Sequence, residues 1–435
     1  MSRYGFSSEG GLVVGLIGGS HFVQHMYFML LPPIFGPLQS DLNVGLPAVG
    51  LAASLVGAVI VSLQLPFGYL SDTRGRTPVL AFSLVVGAVG AGLIATAQTY
   101  AWLLVGALVM GVGLAGHHPA HYPLLSAATD SGNRGRAFSV HGFTGALGFA
   151  APPAVVGVAV ALGLDWRYGT GAIAVVGALY AVYCMGRFRG VSREVTHGPD
   201  AGTDTGAAET DDSDPLTLRS LPSRVAGGLR SLASSTGIVL LTVLWFLTSM
   251  ANWGIQTYTN ELLVAGYAVP EGTANLVVSA MLAVGAFAIL LGGELSDRYS
   301  AQSVILGGFG ALIVMTLALA WGQLPRPVVF GLTVVFISSV KVGRPALSKL
   351  GDALSAEEDL GKNFGLLTIG ISGGGAVAPY VYGVVISATN VRFAFATIAA
   401  VGVLAIAMTF VVVGVSDRSL PGGPSAETEA ATAED

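Results

Sequence analysis

The sequence predicts an all-α membrane protein in which twelve transmembrane helices form two pseudo-symmetric six-helix bundles. Apolar residues make up 53% of the 435 residues and charged residues only 10%. A soluble protein of this length needs more charge to cover its surface. Apolar stretches long enough to cross about 30 Å of hydrocarbon also recur along the whole chain. A polytopic helical membrane protein is the class that fits both observations.

An internal duplication divides the chain into two halves that run in the same order. Gly68 and Asp72 recur as Gly293 and Asp297, and five further residues recur at a near-identical offset. Repeats of this kind stand side by side about an axis along the membrane normal. The five further pairs are Pro119 and Pro345, Phe138 and Phe364, Gly148 and Gly374, Pro153 and Pro379, and Gly157 and Gly383.

The apolar stretches predict the individual spans and the domain limits. We expect an N-terminal six-helix lobe over 1–190, a linker over 191–235, a C-terminal lobe over 236–416 and an acidic tail over 417–435. Leucines and arginines at helical spacing in the linker are typical of an interfacial amphipathic helix, and a disordered linker is equally compatible with them. The twelve predicted spans are 11–36, 45–70, 78–97, 101–126, 136–161, 168–186, 236–262, 272–296, 302–322, 327–350, 362–388 and 392–415.

Basic residues in the loops predict the orientation in the membrane. With the N-terminus inside, fifteen basic residues fall on the inner side and three (Arg167, Arg326 and Arg392) on the outer side. Inner loops carry the excess of Lys and Arg. We therefore expect both termini in the cytoplasm and the linker on the same side of the plasma membrane.

The loop between spans 2 and 3 carries a specific motif. It reads Gly68-Tyr-Leu-Ser-Asp72-Thr-Arg-Gly75-Arg76, and a weaker copy, Gly293-Glu-Leu-Ser-Asp297-Arg298, follows span 8. The motif resembles the G-x-L-x-D-x-x-G-R loop of the major facilitator superfamily of transporters. The resemblance implies that the two loops are gates that hold the lobes together on the cytoplasmic side. Its expected gating residues are Gly68, Asp72, Gly75, Arg76, Asp297 and Arg298.

Three other segments resemble a narrower branch, the fosmidomycin-resistance transporters. They are His21 to Pro33, Gly113 to Pro119 and Arg134 to Gly148. This resemblance implies efflux of small anionic compounds, phosphonates among them. The glycine–proline pattern of span 5 is also similar to that of antiporters of the superfamily.

Two cations lie at membrane depth in span 10, where a charge costs about 2.5–3.5 kcal/mol unless it faces water, a partner or a ligand. Lys341 and Arg344 have no carboxylate at comparable depth in the sequence, so we expect them to hold an anion. Arg344 pairing with Asp352 or Glu294, or reaching to the interface, is the structural alternative.

Polar residues gather on the spans that line the central cavity in this superfamily. Histidine titrates near neutral pH, so His117, His118 and His121 are also expected to carry a coupling proton. Two histidines four apart allow a metal ion by spacing, but no thiol or carboxylate accompanies them, and we expect no metal. With Lys341 and Arg344, the expected substrate-binding residues are His21, Gln24, His25, His117, His118, His121, Asn252 and Gln256.

We therefore expect a secondary active transporter that moves a small anionic organic or phosphonate-like solute by alternating access. It would act as a monomer in the bilayer, with H⁺ or Na⁺ as the coupling ion and with no nucleic-acid partner, cofactor or catalytic residue. A cationic or hydrophobic drug–proton antiporter of the same fold, or a membrane sensor that does not transport, are the alternatives. The antiporter would need a membrane-buried carboxylate, and the sensor a signalling domain.

Overall fold

A computed structural model describes residues 6–197, 236–354 and 360–419, with side chains omitted at 360–365 and 416–419. Within these ranges the chain is helical, with short connections and no β-strand. The amphipathic helix predicted in the linker and residues 420–435 of the predicted tail lie outside the described residues.

The N-terminal half contains spans 1 to 6. Spans 1, 2, 3 and 6 are α1, α3, α4 and α9, span 4 comprises α5 and α6, and span 5 comprises α7 and α8. The bounds are α1 (Ser8–Phe28), α2 (Phe35–Leu42), α3 (Leu46–Arg74), α4 (Arg76–Ala95), α5 (Tyr100–Ala115), α6 (His117–Ala127), α7 (Ser131–Gly148), α8 (Ala151–Ala161), α9 (Trp166–Phe188) and α10 (Arg193–His197).

The C-terminal half contains spans 7 to 12. Spans 7, 8, 9, 11 and 12 are α11, α12, α13, α17 and α18, and span 10 comprises α14, α15 and α16. The bounds are α11 (Thr236–Glu261), α12 (Glu271–Arg298), α13 (Ala301–Trp321), α14 (Arg326–Phe336), α15 (Ser338–Lys341), α16 (Arg344–Ala353), α17 (Leu360–Ala388) and α18 (Val391–Ser419).

Among the described residues, eleven helices are long and apolar enough to cross a membrane. Helix α1 is the remaining predicted span; it is 21 residues long, and its sequence is interrupted by Ser20, His21, Gln24 and His25. Its polar face is directed into the protein, where Ser20, His21 and Gln24 are buried. The described chain thus contains the twelve predicted spans.

Span 1 ends earlier than the apolar pattern predicts. The predicted span runs to residue 36, whereas α1 ends at Phe28 and a 3-10 turn over Pro32–Ile34 leads into α2. Pro32 and Pro33 lack the N–H groups that a continuing helix needs. The apolar residues after the break pack in the core instead of extending the span.

The broken helices preserve the duplication. Span 4 is interrupted at Gly116, and span 10 is interrupted at Val342 and Gly343, which is the corresponding position of the second half. Span 5 breaks just before Pro152 and Pro153, but α17 continues through Pro379, the equivalent of Pro153. The two halves therefore share the kink in spans 4 and 10, and differ at the kink in span 5.

The two ends of the bundle differ in how tightly the halves meet. We call the side where Ser8 lies the terminal side, and the side where α1 ends the distal side. Across the boundary, span 2 packs against span 11 and span 5 against span 8. On the distal side Asn275 Nδ2 donates to Pro33 O at 2.9 Å, and Ser279 Oγ donates to Ala150 O at 2.8 Å. The distal side is closed by direct contact of the halves.

Glycines mark this closed region. A Cβ at Gly57 would lie 2.9 Å from Ala376 Cα, and one at Gly157 would lie 3.0 Å from Gly272 O. Towards the terminal side on the same faces, Gly68 and Gly142 have nothing within 4 Å of a Cβ position. Span 2 therefore touches the other half in its distal part and separates from it towards the terminal side.

The tight distal contact predicts the effect of a bulky residue there. Gly57→Leu is expected to push span 2 away from span 11 and to open the distal side. A cysteine introduced at Ser279, in a Cys184→Ser background, should then react with a membrane-impermeant maleimide added to that side. Gly68→Leu is the matched control and should leave this labelling low. Equal labelling of the two variants would contradict the expectation.

A polar clamp secures the distal end of the N-terminal half. Asp41 accepts hydrogen bonds from Trp166 Nε1 at 3.0 Å and from Arg167 Nη1 at 2.6 Å. These two donors favour the charged form and lower the pKa of the Asp41 carboxyl below its ordinary value. Arg167 Nη2 also donates to Ala97 O at 2.9 Å, so the clamp ties α2 to α9 and to the end of α4.

Removing the negative charge of Asp41 from this clamp should have a small, pH-dependent effect on the free energy of unfolding. Asp41→Asn is expected to lower the free energy of unfolding at neutral pH by at most about 1 kcal/mol, because solvent screens an ion pair this exposed. A carboxyl with a lowered folded-state pKa stabilises above its unfolded value of about 3.9, and this stabilisation is lost as the pH falls through the folded value. Thermal unfolding in detergent should therefore show a difference at neutral pH that fades in acid. A difference that persists in acid would contradict this reasoning.

Candidate functional site

A cavity of about 480 Å³ lies between the two halves, on the terminal side of the distal contacts. Spans 1, 4, 7 and 10 supply most of its polar wall, and spans 2, 5, 8 and 11 complete it. No aspartate or glutamate lines it in the described part of the chain. Its volume suits a small organic molecule.

Two cations from the broken span 10 face this cavity. Lys341 is 3% exposed, and its Nζ lies 5.8 Å from the ring centroid of Phe149. The Cζ atom of Arg344 lies 5.8 Å from the ring centroid of Trp245. Both contacts bring each cation to an aromatic face, which attracts it only moderately.

Neither cation forms a salt bridge within the described residues. The ion pairs found there join other groups, and Glu294 pairs with Arg298 at 2.5 Å. Arg344 is therefore paired neither with Glu294 nor with Asp352, the two partners that the structural alternative requires. The buried Lys341 and the half-buried Arg344 thus have no carboxylate partner among the described residues.

Six histidines form one cluster on the N-terminal side of the cavity. The His21 ring stacks on His141 with centroids 3.9 Å apart, and His118 and His121 are 4.9 Å apart. They come from α1, α6 and α7, whose small residues allow close packing; Gly145 and Gly148 of α7 lie directly against His21 and His25. The members of this histidine cluster are His21, His25, His117, His118, His121 and His141.

Hydrogen bonds fix the orientation of four of these rings. His21 Nδ1 lies 2.9 Å from His141 O, and His25 Nδ1 lies 2.7 Å from Gly145 O. The Nε2 atoms of His21 and His25 face each other at 3.1 Å.

The second pair is built differently. His117 Nε2 lies 3.1 Å from Ser20 Oγ, and His117 Nδ1 lies 2.8 Å from His121 Nδ1.

We assign no metal ion to the cluster. Ring nitrogens of His21, His25 and His118 do lie within 4.8 Å of one another. However, Lys341 and Arg344 share the cavity with them, and their charges oppose a divalent cation there.

Polar atoms without a partner also line the cavity. Gln24 Oε1, Trp245 Nε1, Asn252 Oδ1 and Gln256 Oε1 are buried and make no hydrogen bond within the described structure. Buried polar groups are normally paired, so such atoms indicate where a ligand or water binds. They lie on both halves: Gln24 on the N-terminal half, and Trp245, Asn252 and Gln256 on the C-terminal half.

Aromatic rings from both halves form the distal floor of the cavity. The Phe28 and Trp253 ring centroids are 4.5 Å apart, and Phe149 lies 6.0 Å from Trp253. Phe28 and Phe149 belong to the N-terminal half and Trp253 to the C-terminal half. This aromatic floor separates the cavity from the closed distal side.

The structure brings the predicted substrate-binding residues together, with one exception. All of them line the cavity except His121, which lies fully buried behind His117. The aromatic residues were missed by sequence reasoning. Trp245 and Trp253 share the helical spacing of Ser249 on α11, a signal that could have found them.

The predicted gating residues stay within their own halves in this conformation. Arg76 Nη1 lies 3.2 Å from Val195 O, and Lys349 Nζ lies 2.6 Å from Asp297 Oδ1. Gly75 has φ +98° at the turn between α3 and α4, where a side chain would be strained. Their role in holding the halves together stays a prediction.

Comparison with known proteins agrees with this architecture. Residues 17–344 match the Major Facilitator Superfamily. The chain therefore belongs to this superfamily, and it is a multi-pass membrane protein of a transporter family, not an enzyme.

Three relatives resemble most of the chain at low identity. A "Putative metabolite transport protein" of Haemophilus influenzae is 27% identical over 93% of this chain and 95% of its own length. The fosmidomycin resistance protein of Escherichia coli is 24% identical over 72% of this chain and 71% of its own length. The probable nitrate transporter NarT of Staphylococcus haemolyticus is 22% identical over 92% of this chain and 96% of its own length.

The fold also resembles that of solved transporters. A bacterial homologue of the human lysosomal transporter Spinster, in an inward-facing and occupied conformation, superposes with a TM-score of 0.74. The match covers 94% of this chain and 98% of that one at 14% identity. The shared feature is the two-bundle fold.

Proposed function

We propose that the protein is a secondary active transporter of the plasma membrane that moves a small anionic solute by alternating access. The observation that carries this proposal is a pair of cations without a salt-bridge partner among the described residues, the buried Lys341 and the half-buried Arg344, on the wall of a cavity between the two halves. An anion bound there would satisfy the charges that the described protein residues leave without a partner.

The chemistry of the solute follows from the wall of the cavity. Lys341 offers a point charge and Arg344 a planar fork that matches a carboxylate, phosphonate or nitrate group. The unpaired amide oxygens of Asn252 and Gln256 accept hydrogen bonds from donor groups of an organic solute. The names of two relatives, a nitrate transporter and a fosmidomycin resistance protein, favour the same class of cargo.

The closed distal side supports alternating access. With the termini in the cytoplasm, as the loop charges predict, the cavity faces inward in this conformation. Closing the terminal side would bring the loops of Asp72 and Asp297 towards the opposite half, and opening the distal side would separate Phe28 from Trp253. The solute would then cross without a continuous pore.

The aromatic lining favours one alternative, an exporter of hydrophobic or cationic drugs. Rings of Phe28, Phe149 and Trp253 suit flat apolar molecules. A cationic drug would meet Lys341 and Arg344 with no carboxylate on the cavity wall among the described residues, which disfavours it.

Flux into proteoliposomes separates these functions. Purified protein should exchange radiolabelled nitrate, fosmidomycin or another small organic anion across the membrane, and should not exchange the lipophilic cation tetraphenylphosphonium. A thermal-shift screen of the same compounds should raise the melting temperature only with anions, since a ligand specific to the folded state stabilises it. Cation exchange without anion exchange would establish the drug exporter, and no exchange of either would contradict transport of these classes.

A further inference from the structure

The two histidine pairs of the cluster differ in how many protons their hydrogen bonds require. Both pairs have members four residues apart on one helix, His21 and His25 on α1, and His117 and His121 on α6. A neutral imidazole carries one N–H and one bare nitrogen, so each contact can be checked for a donor.

The pair on α6 is satisfied by two neutral rings. Ser20 Oγ donates to Ile17 O at 2.9 Å, so it accepts from His117 Nε2. His117 Nδ1 is then bare and accepts from the N–H of His121 Nδ1 at 2.8 Å. Each hydrogen bond in the series from Ser20 through His117 to His121 therefore has one donor and one acceptor.

The pair on α1 lacks a donor. Carbonyl oxygens only accept, so His21 Nδ1 must donate to His141 O, and His25 Nδ1 must donate to Gly145 O. Two neutral rings would therefore face each other with bare Nε2 atoms 3.1 Å apart. One additional proton converts this repulsive contact into an N–H···N hydrogen bond of ordinary length.

We propose that His21 and His25 share one additional proton between their Nε2 atoms, and that this proton is carried together with the anion. The inference rests on the proposed anion transport and supplies its coupling ion. The proton of His121, by contrast, belongs to a neutral pair that needs no further charge.

The charges around His21 and His25 determine whether proton binding and anion binding favour or oppose each other. Within the described ranges, no aspartate or glutamate lines the cavity that this pair faces. The cations of the cavity oppose a further positive charge, and a bound anion removes that opposition. The described groups that contact the pair or share its cavity are His117, His118, His121 and Tyr122 of α6, His141 of α7, and Lys341 and Arg344 across the cavity.

Proton and anion therefore favour each other's binding, and by linkage the effect is reciprocal. Two ligands that bind together are moved together. The protein would act as a proton–anion symporter, in contrast to the antiporter that the pattern of span 5 suggests.

The proton can be observed with the anion bound. Full-length protein labelled with ¹⁵N-histidine, in lipid nanodiscs at about pH 8 and saturated with nitrate or fosmidomycin, whichever it binds, should show one ring with both nitrogens protonated, although a free imidazole is neutral there. Without the anion this signal should weaken. His21→Gln and His25→Gln should each remove this signal, whereas His197→Gln, outside the cluster, should leave it. Only neutral rings in the unmodified protein would overturn the proposal, as would a stoichiometric transition-metal ion that is lost with His25→Gln.

Transport tests the coupling separately. Radiolabelled nitrate or fosmidomycin, whichever the unmodified protein exchanges, should accumulate about tenfold per unit of imposed pH gradient for one proton per monovalent anion. His25→Gln should abolish this accumulation, and a single symmetric peak in size-exclusion chromatography shows that the variant is folded.

His21→Gln provides the second variant if His25→Gln does not fold. A variant that exchanges and still accumulates would overturn the inference, while the proposed function would stand. Absence of exchange in the unmodified protein would instead remove the proposed function.

Discussion

Lys341→Met and Arg344→Gln are each expected to weaken anion binding by about tenfold to a hundredfold. A hydrogen bond to a charged group is worth about 1.5–3 kcal/mol, and about 1.4 kcal/mol corresponds to a factor of ten. Methionine keeps the length of the lysine side chain, so packing against Gly285 and Phe149 should be preserved. Titration of the bound anion by calorimetry on purified protein measures the loss.

Arg326→Gln is the matched control for this pair. Arg326 is exposed on the distal side, where its Nη2 donates to Ala268 O at 3.0 Å, far from the cavity wall. The Arg326→Gln variant should bind the anion with the same affinity as the unmodified protein. Because Lys341 and Arg344 would hold one anion, the double variant should lose less than the sum of the two single losses. Unchanged affinity in both single variants would contradict the anion site.

Asp72→Asn is expected to slow transport by about fivefold or more and to leave anion affinity intact. The carboxylate of Asp72 is proposed to stabilise the state in which the terminal side is closed, and a coupling of about 1–3 kcal/mol shifts such an equilibrium by this factor or more. The present conformation does not use that contact, so binding to it should be unaffected. Rates of solute exchange in proteoliposomes, together with binding to purified protein, separate the two effects.

Asp165→Asn is the corresponding control. Asp165 begins α9 on the distal side, where its side chain accepts from the Arg167 N–H at 2.8 Å, and asparagine caps a helix equally well. The transport rate of the Asp165→Asn variant should match that of the unmodified protein. A normal rate in Asp72→Asn would mean that this loop does not control the cycle, whereas a loss of binding would place Asp72 in the site itself.

Much of the fold was predictable, because bilayer thickness and backbone hydrogen bonding constrain a membrane helix more than its neighbours do. At the offset of the duplication Arg344 corresponds to His118, and both line the same cavity. The break in span 4 was not predicted, since Gly116 does not differ in sequence from the many packing glycines of the chain. The end of α1 was misplaced because the residues after Phe28 remain apolar and only their prolines mark the change.

The candidate site was predicted less completely, for a different reason. Charge at membrane depth is costly, so Lys341 and Arg344 can be recognised as functional candidates from the sequence alone. The direction in which a side chain points depends on tertiary packing. His121 contacts His117 and does not line the cavity, whereas His117 does. The difference between the two histidine pairs depends on the carbonyls of α7 that face α1, which the spacing of the histidines alone does not reveal.

The aromatic floor has a consequence for inhibition. Phe28 and Trp253 come from opposite halves, and their ring centroids are 4.5 Å apart with the ring planes tilted by 57°. The proposed cycle must therefore pull these rings apart at every turnover. An anion that carries a flat aryl group could bind its head to the cations and wedge its ring into that seam. Such a compound would arrest the transporter midway and would serve as a lead for a conformation-specific blocker.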